Sequence, residues 1–159
     1  MMTGMKPSRR SFQTGMMLTA LSQSRVMGAN ERIRVGAIGT GGRCQYLMRT
    51  AINSDRVEMA AVNDILPSRM ARAKSTMSIP NAVEYTDFRK LLEDKSLDAV
   101  IIGSPDHWHV PMLIAAVEAG KDVYIEKPLT HNIEEGQRAI EAVRRTGRVV
   151  QIGYQQRSY

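Results

Sequence analysis

Cysteine is almost missing from this chain. Cys44 is the only one among 159 residues, which excludes an internal disulfide and leaves the redox compartment open. Long apolar runs are missing as well: nothing approaches the roughly 20 apolar residues of a membrane span. There is no internal repeat and no low-complexity segment. Aromatic residues make up only 5%, and no basic patch interleaved with them is visible. The formal charge of +6 therefore needs another explanation than a nucleic-acid partner. Its distribution supplies one. Residues 1–30 hold Lys6, Arg9, Arg10 and Arg25 with no acid, whereas the remainder carries 18 basic and 16 acidic side chains. What is present, 43% apolar and 24% charged residues, suits one well-buried domain and is too short for two of ordinary size.

The basic leader has its own pattern. Ser8-Arg9-Arg10-Ser11-Phe12 resembles a twin-arginine export signal, with a mildly apolar stretch from Gly15 to Leu21 behind it. The stretch is short, and Ser22-Gln23-Ser24-Arg25 interrupts it; Gly28-Ala29 offers a cleavage position. Residues 1–30 are expected to be either such a leader, with export to the periplasm, or a disordered tail on a cytoplasmic protein.

Residues 31–159 alternate strand and helix. Short runs rich in Val, Ile and Ala predict strands at Ile33–Ile38, Val57–Val62, Ala99–Ile102, Asp122–Ile125 and Val149–Ile152, with a weaker one at Val83–Tyr85. An apolar helical pattern follows the first strand directly. Pro67 suits the first turn of a helix through Lys74, and Asp87 caps Phe88–Glu93. Val110, Leu113, Ile114 and Val117 lie on one helical face that Gly120 ends. Asn132 caps a last helix with Ile140 and Val143 inward and Gly147 closing it. Six strands alternating with five helices predict a doubly wound, parallel α/β sheet of the Rossmann type. Tyr159 lies just past the sixth predicted strand, so the expectation is a dinucleotide-binding unit with almost nothing after it.

The chemistry sits at the predicted strand ends. Ile33–Ile38 runs into Gly39-Thr40-Gly41-Gly42-Arg43-Cys44, the sharp glycine turn into a helix that a pyrophosphate requires. The third glycine position holds Cys44, expected to be a small packed residue and not a nucleophile. Arg43 is expected either to lean toward a phosphate or to lie on a solvated helix face. Asp64 ends the second strand, 25 residues beyond Gly39. A carboxylate there accepts hydrogen bonds from ribose hydroxyls and repels a 2′-phosphate, favouring NAD over NADP, unless it serves only as a helix cap beside Pro67. Nearby Arg69 would allow some NADP tolerance.

The fourth strand ends in Ser104-Pro105-Asp106-His107-Trp108-His109, and the fifth in Glu126-Lys127-Pro128-Leu129. Strands one and four flank the point where such sheets bind ligands. Asp106 and His109 alone do not complete a metal site, so none is expected. His107 and Trp108 serve either helix packing or ligand contact. Lys127 would point into the crevice, where its ammonium can hydrogen-bond a substrate hydroxyl as hydride leaves carbon. Pro128 raises the chance of a cis peptide.

Taken together these residues closely resemble the N-terminal domain of the glucose–fructose oxidoreductase / inositol dehydrogenase (Gfo/Idh/MocA) family, over about residues 31–157. Glu126-Lys127-Pro128 stands as the family's Glu-Lys-Pro motif, and Ser104-Pro105-Asp106-His107-Trp108-His109 matches its Thr-Pro-Asn-x-x-His pattern with Ser for Thr and Asp for Asn. The resemblance implies that Ser104, Pro105 and His109 lie beside the cofactor and that Glu126 and Lys127 lie near the nicotinamide, with Lys127 also touching substrate. Gln151–Arg157 is similar to the segment closing the cofactor site, which implies nicotinamide contact by Gln155 or Gln156. Family members continue into a second α/β domain that supplies most substrate contacts, the usual catalytic Asp/His pair and the oligomer interface. No such segment follows here, so oligomerisation is not expected, and His131 is expected to be structural.

The expected function is that of an NAD-dependent sugar or polyol oxidoreductase, present as its cofactor half. One alternative is an NAD-dependent glycosidase of the same superfamily, which eliminates an aglycone after transient oxidation. Another is a stand-alone dinucleotide-binding module without turnover. The genomic reading frame past the codon for Tyr159 discriminates the enzyme from the module.

Overall fold

The computed structural model describes residues 32–155; the arginine pair, the rest of the leader and Gln156 lie outside them. Six strands form one all-parallel sheet: β1 (Ile33–Ile38), β2 (Val57–Asn63), β3 (Val83–Tyr85), β4 (Ala99–Ile102), β5 (Asp122–Ile125) and β6 (Val150–Ile152). Their order is β3-β2-β1-β4-β5-β6. This is the doubly wound arrangement, whose direction of winding reverses between β1 and β4.

Both faces are covered, as a parallel sheet requires. Helices α1 (Gly42–Ile52) and α2 (Pro67–Met77) pack Cys44, Met48, Met70, Ala73 and Met77 against Val35, Ala37, Val62 and Ile101. On the opposite face α3 (Phe88–Glu93), α4 (His109–Glu118) and α5 (Ile133–Thr146) bury Leu91, Leu113, Ala116, Val117 and Ala142 against Ile38, Val100, Ile102 and Ile125. Pairing of β1 with β2 skips Ala60 between Val35 and Gly36. The displaced register sets Ile38 opposite Asn63, and Gly39 N–H then donates to the Asn63 carbonyl at 2.8 Å.

Local signals fix most element ends. Asp87 accepts from Arg89 N–H and Asn132 from Glu135 N–H, as helix N-caps do. Gly120 and Gly147 hold φ of 81° and 65° where α4 and α5 stop. The differences from the predicted elements have physical causes. Helix α2 runs three residues past Lys74 because Met77 has a core position to fill. Ile140 is half-exposed, since the small Ala139 and Ala142 let α5 lie close to the core instead. Val149 is excluded from β6: its N–H goes to the Asp122 carboxylate and its side chain to solvent. No helix among the described residues is long and apolar enough to cross a membrane.

Beneath the sheet, at the end opposite the glycine turn, Lys121 is 3% exposed and its ammonium donates to the Asp94 and Leu97 carbonyls at 2.6 and 2.7 Å. Burial holds its pKa below the ordinary lysine value. The side chain ties the start of β5 to the segment between α3 and β4.

Candidate functional site

The glycine turn lies where β1 ends. Gly39 has φ of 76°, and a Cβ there would stand 2.8 Å from the backbone of Ser104, so glycine is required both for conformation and for space. Gly41 caps α1 with extended backbone and no side-chain cap, and no acid lies in the first turn. Added Cβ atoms at Gly41 and Gly42 would meet nothing within 4 Å. The first helical bond is Gln45 N–H to the Gly41 carbonyl, which leaves the preceding N–H groups outside the ladder. An open, glycine-lined helix N-terminus of this kind suits a pyrophosphate.

Close packing of α1 on the sheet is achieved in an unexpected way. Cys44 is fully buried, and burial, followed by the nearby Asp64 and Glu126 charges, pushes its thiol from near 9 up to about 12. Such a thiol is inert. Its Cβ fits because Gly103 has none: a Cβ on Gly103 would lie 2.7 Å from Cys44 Cβ. The space that a third glycine in the turn would leave is supplied from the end of β4. Sequence reading missed Gly103, although a glycine directly after a strand facing the turn is the signal for it.

Asp64, at the end of β2, is 4% exposed. Its Oδ1 accepts from Leu66 N–H at 3.0 Å, while Oδ2 lies 3.5 Å from Thr40 Oγ1 and 3.9 Å from Arg69 Nη1. The carboxylate thus shapes the turn before α2, whose N-cap is Leu66, and keeps its other oxygen toward the glycine turn. Thr40 is fully buried, and its carbonyl accepts from Gln45 Nε2.

On the other side, Arg43 lies on the exposed face of α1 and pairs with a carboxylate. Its Nε and Nη2 donate to Glu126 Oε1 at 2.8 and 2.7 Å, reaching from α1 to the end of β5. The carboxylate raises the guanidinium pKa. Glu126 is 5% exposed, and its Oε2 lies 3.3 Å from Lys127 N–H. In the amide orientation that satisfies both neighbours, Gln155 donates to the Gly153 carbonyl and accepts from Arg43 Nη2. Gly153 leaves room there: a Cβ would be 3.0 Å from both Glu126 Oε1 and the Tyr124 hydroxyl, which would have to shift. Burial and Glu126 raise the Tyr124 pKa.

His109 is 2% exposed. Its Nδ1 is 2.6 Å from the Pro128 carbonyl oxygen and its Nε2 3.0 Å from that of Ser104. The ring thereby joins the loop after β4 to the loop after β5. His131 links the same loops at the surface, with Nε2 3.3 Å from Asp106 Oδ2. Trp108 packs edge-on against Phe88 and stays 40% exposed. The Ser104 hydroxyl lies near the Pro105 carbonyl, and Pro105 is exposed. Lys127 is exposed at the end of β5, and its bond to Pro128 is cis. Among the described residues no group of three or more His, Cys, Asp or Glu could hold a metal ion.

Gly39 to Arg43, Asp64, Ser104, Glu126, Lys127 and Gln155 therefore all lie at the carboxyl edge of one parallel sheet. Comparisons with known proteins agree with that geometry. Residues 33–154 match the family model described as "Oxidoreductase family, NAD-binding Rossmann fold". The scyllo-inositol 2-dehydrogenase (NAD(+)) of Bacillus subtilis is 34% identical over 127 residues, covering 79% of this chain and 36% of that protein. A glycosyl hydrolase family 109 protein of Shewanella pealeana is 31% identical over 123 residues, covering 73% and 27%. The crystal structure of a probable dehydrogenase from Thermotoga maritima superposes with a TM-score of 0.73 at 28% identity, covering 78% of this chain and 37% of that one. The chain spans about a third of the length of the curated relatives it matches. On the strength of fold, strand-end residues and this match, the chain belongs to the Gfo/Idh/MocA oxidoreductase family and carries its NAD-binding Rossmann fold.

Proposed function

We propose that this chain is the cofactor-binding part of an NAD-dependent oxidoreductase acting on a sugar or polyol. One observation carries the reading: an open glycine-lined helix N-terminus, a buried carboxylate after β2 and an exposed lysine after β5 share one sheet edge. Gly39, Thr40, Gly41 and Gly42 form the turn that cradles the pyrophosphate, with Gly39 and Gly41 holding its shape through their own backbone bonds and the N–H groups at the start of α1 and the helix dipole facing the charge. Asp64 takes the adenosine ribose hydroxyls and discriminates against a 2′-phosphate. The nicotinamide half lies over β4, β5 and β6, between Ser104, Pro105, Glu126 and Gln155, and His109 holds the two loops that frame it. When bound, the cofactor supplies the hydride acceptor. Lys127 hydrogen-bonds the substrate hydroxyl and favours loss of its proton. Substrate contacts other than that of Lys127 come from outside residues 32–155.

Titration of the purified chain with NAD and NADP tests this. NAD is expected to bind more tightly, and Asp64→Ala is expected to erase that preference; an unchanged preference removes Asp64 from the ribose site. Little or no turnover is expected from this chain alone across a panel of sugars and polyols, and robust turnover sinks the division of labour. The Shewanella relative supports a second reading, glycoside cleavage through transient oxidation. Release of an aglycone with no net NADH, in a protein that carries the substrate-binding part as well, would favour it.

A further inference from the structure

Arg43 is the residue whose placement the binding scheme above leaves unexplained. It sits in the first turn of α1, where a cation would ordinarily serve a phosphate, yet its guanidinium reaches from α1 to Glu126 after β5. The two residues are 83 positions apart in the chain, so local geometry does not force the contact. Glu126 is 5% exposed, and Arg43 is the cation that the structure pairs with it. Gln155 completes the arrangement from beyond β6.

The fold locates this pair in one half of the site. Doubly wound sheets bind a dinucleotide as two mononucleotides, one over each half of the strand order. Asp64 follows β2, in the half formed by β1, β2 and β3, whereas Glu126 follows β5, in the half formed by β4, β5 and β6. With the adenosine ribose at Asp64, the nicotinamide falls to the half that contains Glu126. The nicotinamide ring is cationic in NAD⁺ and neutral in NADH, and the rest of the molecule is common to both. A fixed charge near that ring therefore acts on the difference between the two forms.

We propose that the Arg43–Glu126 pair sets the preference of the nicotinamide half-site between oxidised and reduced cofactor. The buried carboxylate alone would draw in the cationic ring. Arg43 cancels most of that field, so the site holds NAD⁺ and NADH with affinities close enough for exchange in either direction. Arg43 is then a positioning and field-setting residue, not a phosphate ligand. The inference rests on the reading of this crevice as a nicotinamide site and goes beyond it by assigning a redox-form preference to two named side chains.

The readout is the ratio of the NADH and NAD⁺ dissociation constants of the purified chain. NADH binding is followed by energy transfer from Trp108, the only tryptophan, and NAD⁺ binding by calorimetry. Losses common to both ligands, including any loosening of the pyrophosphate turn, cancel in the ratio. Arg43→Met is expected to shift it about tenfold toward NAD⁺, and Glu126→Gln about tenfold toward NADH. A tenfold shift corresponds to about 30 mV in the potential of the bound two-electron couple. The double variant Arg43→Met/Glu126→Gln is expected to return near the wild-type ratio, and Arg43→Lys to stay near it. A residue that merely braced the fold would move both single variants in the same direction or leave the ratio unchanged, and either result overturns the proposal. Glu126→Gln leaves no buried anion behind and carries the test if Arg43→Met does not fold. A wild-type chain that binds neither cofactor overturns the nicotinamide reading itself. One that binds both, with an immovable ratio, overturns only the role of the pair.

Discussion

The two halves of the sheet hold their polar groups by different means. Around β1 and β2, the carboxylate of Asp64 is fixed by Leu66 N–H two residues on, and Thr40 by Gln45 five residues on. Around β4, β5 and β6, Arg43 meets Glu126 across 83 residues and His109 meets Pro128 across 19. The first half relies on short-range turn chemistry beside two contacts across strands, Thr40 with Asp64 and Asn63 with the Tyr85 carbonyl. The second exists only once the sheet has formed and brought separate loops together. A half-site assembled locally tolerates the loss of one bond better than a half-site whose loops are held by a single ring or ion pair.

Breaking the hinge between the halves should have the largest effect. Gly39→Ala adds a Cβ 2.8 Å from the Ser104 backbone and strains a φ of 76°. Destabilisation of about 3 kcal/mol or more, with loss of NAD binding, is expected in urea unfolding and cofactor titration. Next comes the long-range half. His109→Ala empties a buried ring position between the Pro128 and Ser104 carbonyls, which is expected to cost about 3 kcal/mol. Hydrogen exchange should rise in the loops at 103–108 and 127–132 and not around Asp64. Thr40→Val tests the half around β1 and β2, where the single 3.5 Å contact of the hydroxyl with Asp64 predicts a loss of about 1 kcal/mol or less. A Thr40 effect as large as that of His109 would remove the distinction between the halves.

The smallest effect at neutral pH concerns Cys44, under both halves. Its folded pKa of about 12 exceeds its ordinary value near 9. The unfolded chain therefore loses that proton first as pH rises. Its contribution to stability is complete below pH 9 and declines by about 1.4 kcal/mol per pH unit above it. Denaturant unfolding of wild type and Cys44→Ala at pH 8 and pH 10 checks the sign: the gap between them should narrow at the higher pH. Thiol labelling at pH 8 should be negligible until denaturant is added.

The same division explains what could be read from the chain. Six strands, five helices, the caps at Asp87 and Asn132 and the stops at Gly120 and Gly147 depend on residues within a few positions of one another, and these were legible. So were the glycine turn and the acid after β2, because their spacing is fixed by one βαβ unit. The orientation of Arg43 was not legible, because nothing near residue 43 announces a carboxylate at residue 126. The family resemblance implied a place for His109 beside the cofactor, but the carbonyls that flank its ring come from loops whose proximity depends on the order of β4 and β5. Ile140 misled for a related reason: helical spacing marks an apolar face, yet the neighbouring alanines allow the closer approach to the core.

Gly103 and Cys44 show that the tight seam between α1 and the sheet needs one absent methyl-sized group, here left out on the strand side. The constraint belongs to a pair of positions, so the two residues form a coupled choice between small-on-helix and small-on-strand. Placing glycine at 44 should relax the demand on 103, so Gly103→Ala should be better tolerated in Cys44→Gly than in the wild type. A fingerprint that scores the turn alone undervalues chains that have made the other choice. Scoring the turn together with the residue after the fourth strand would recover them.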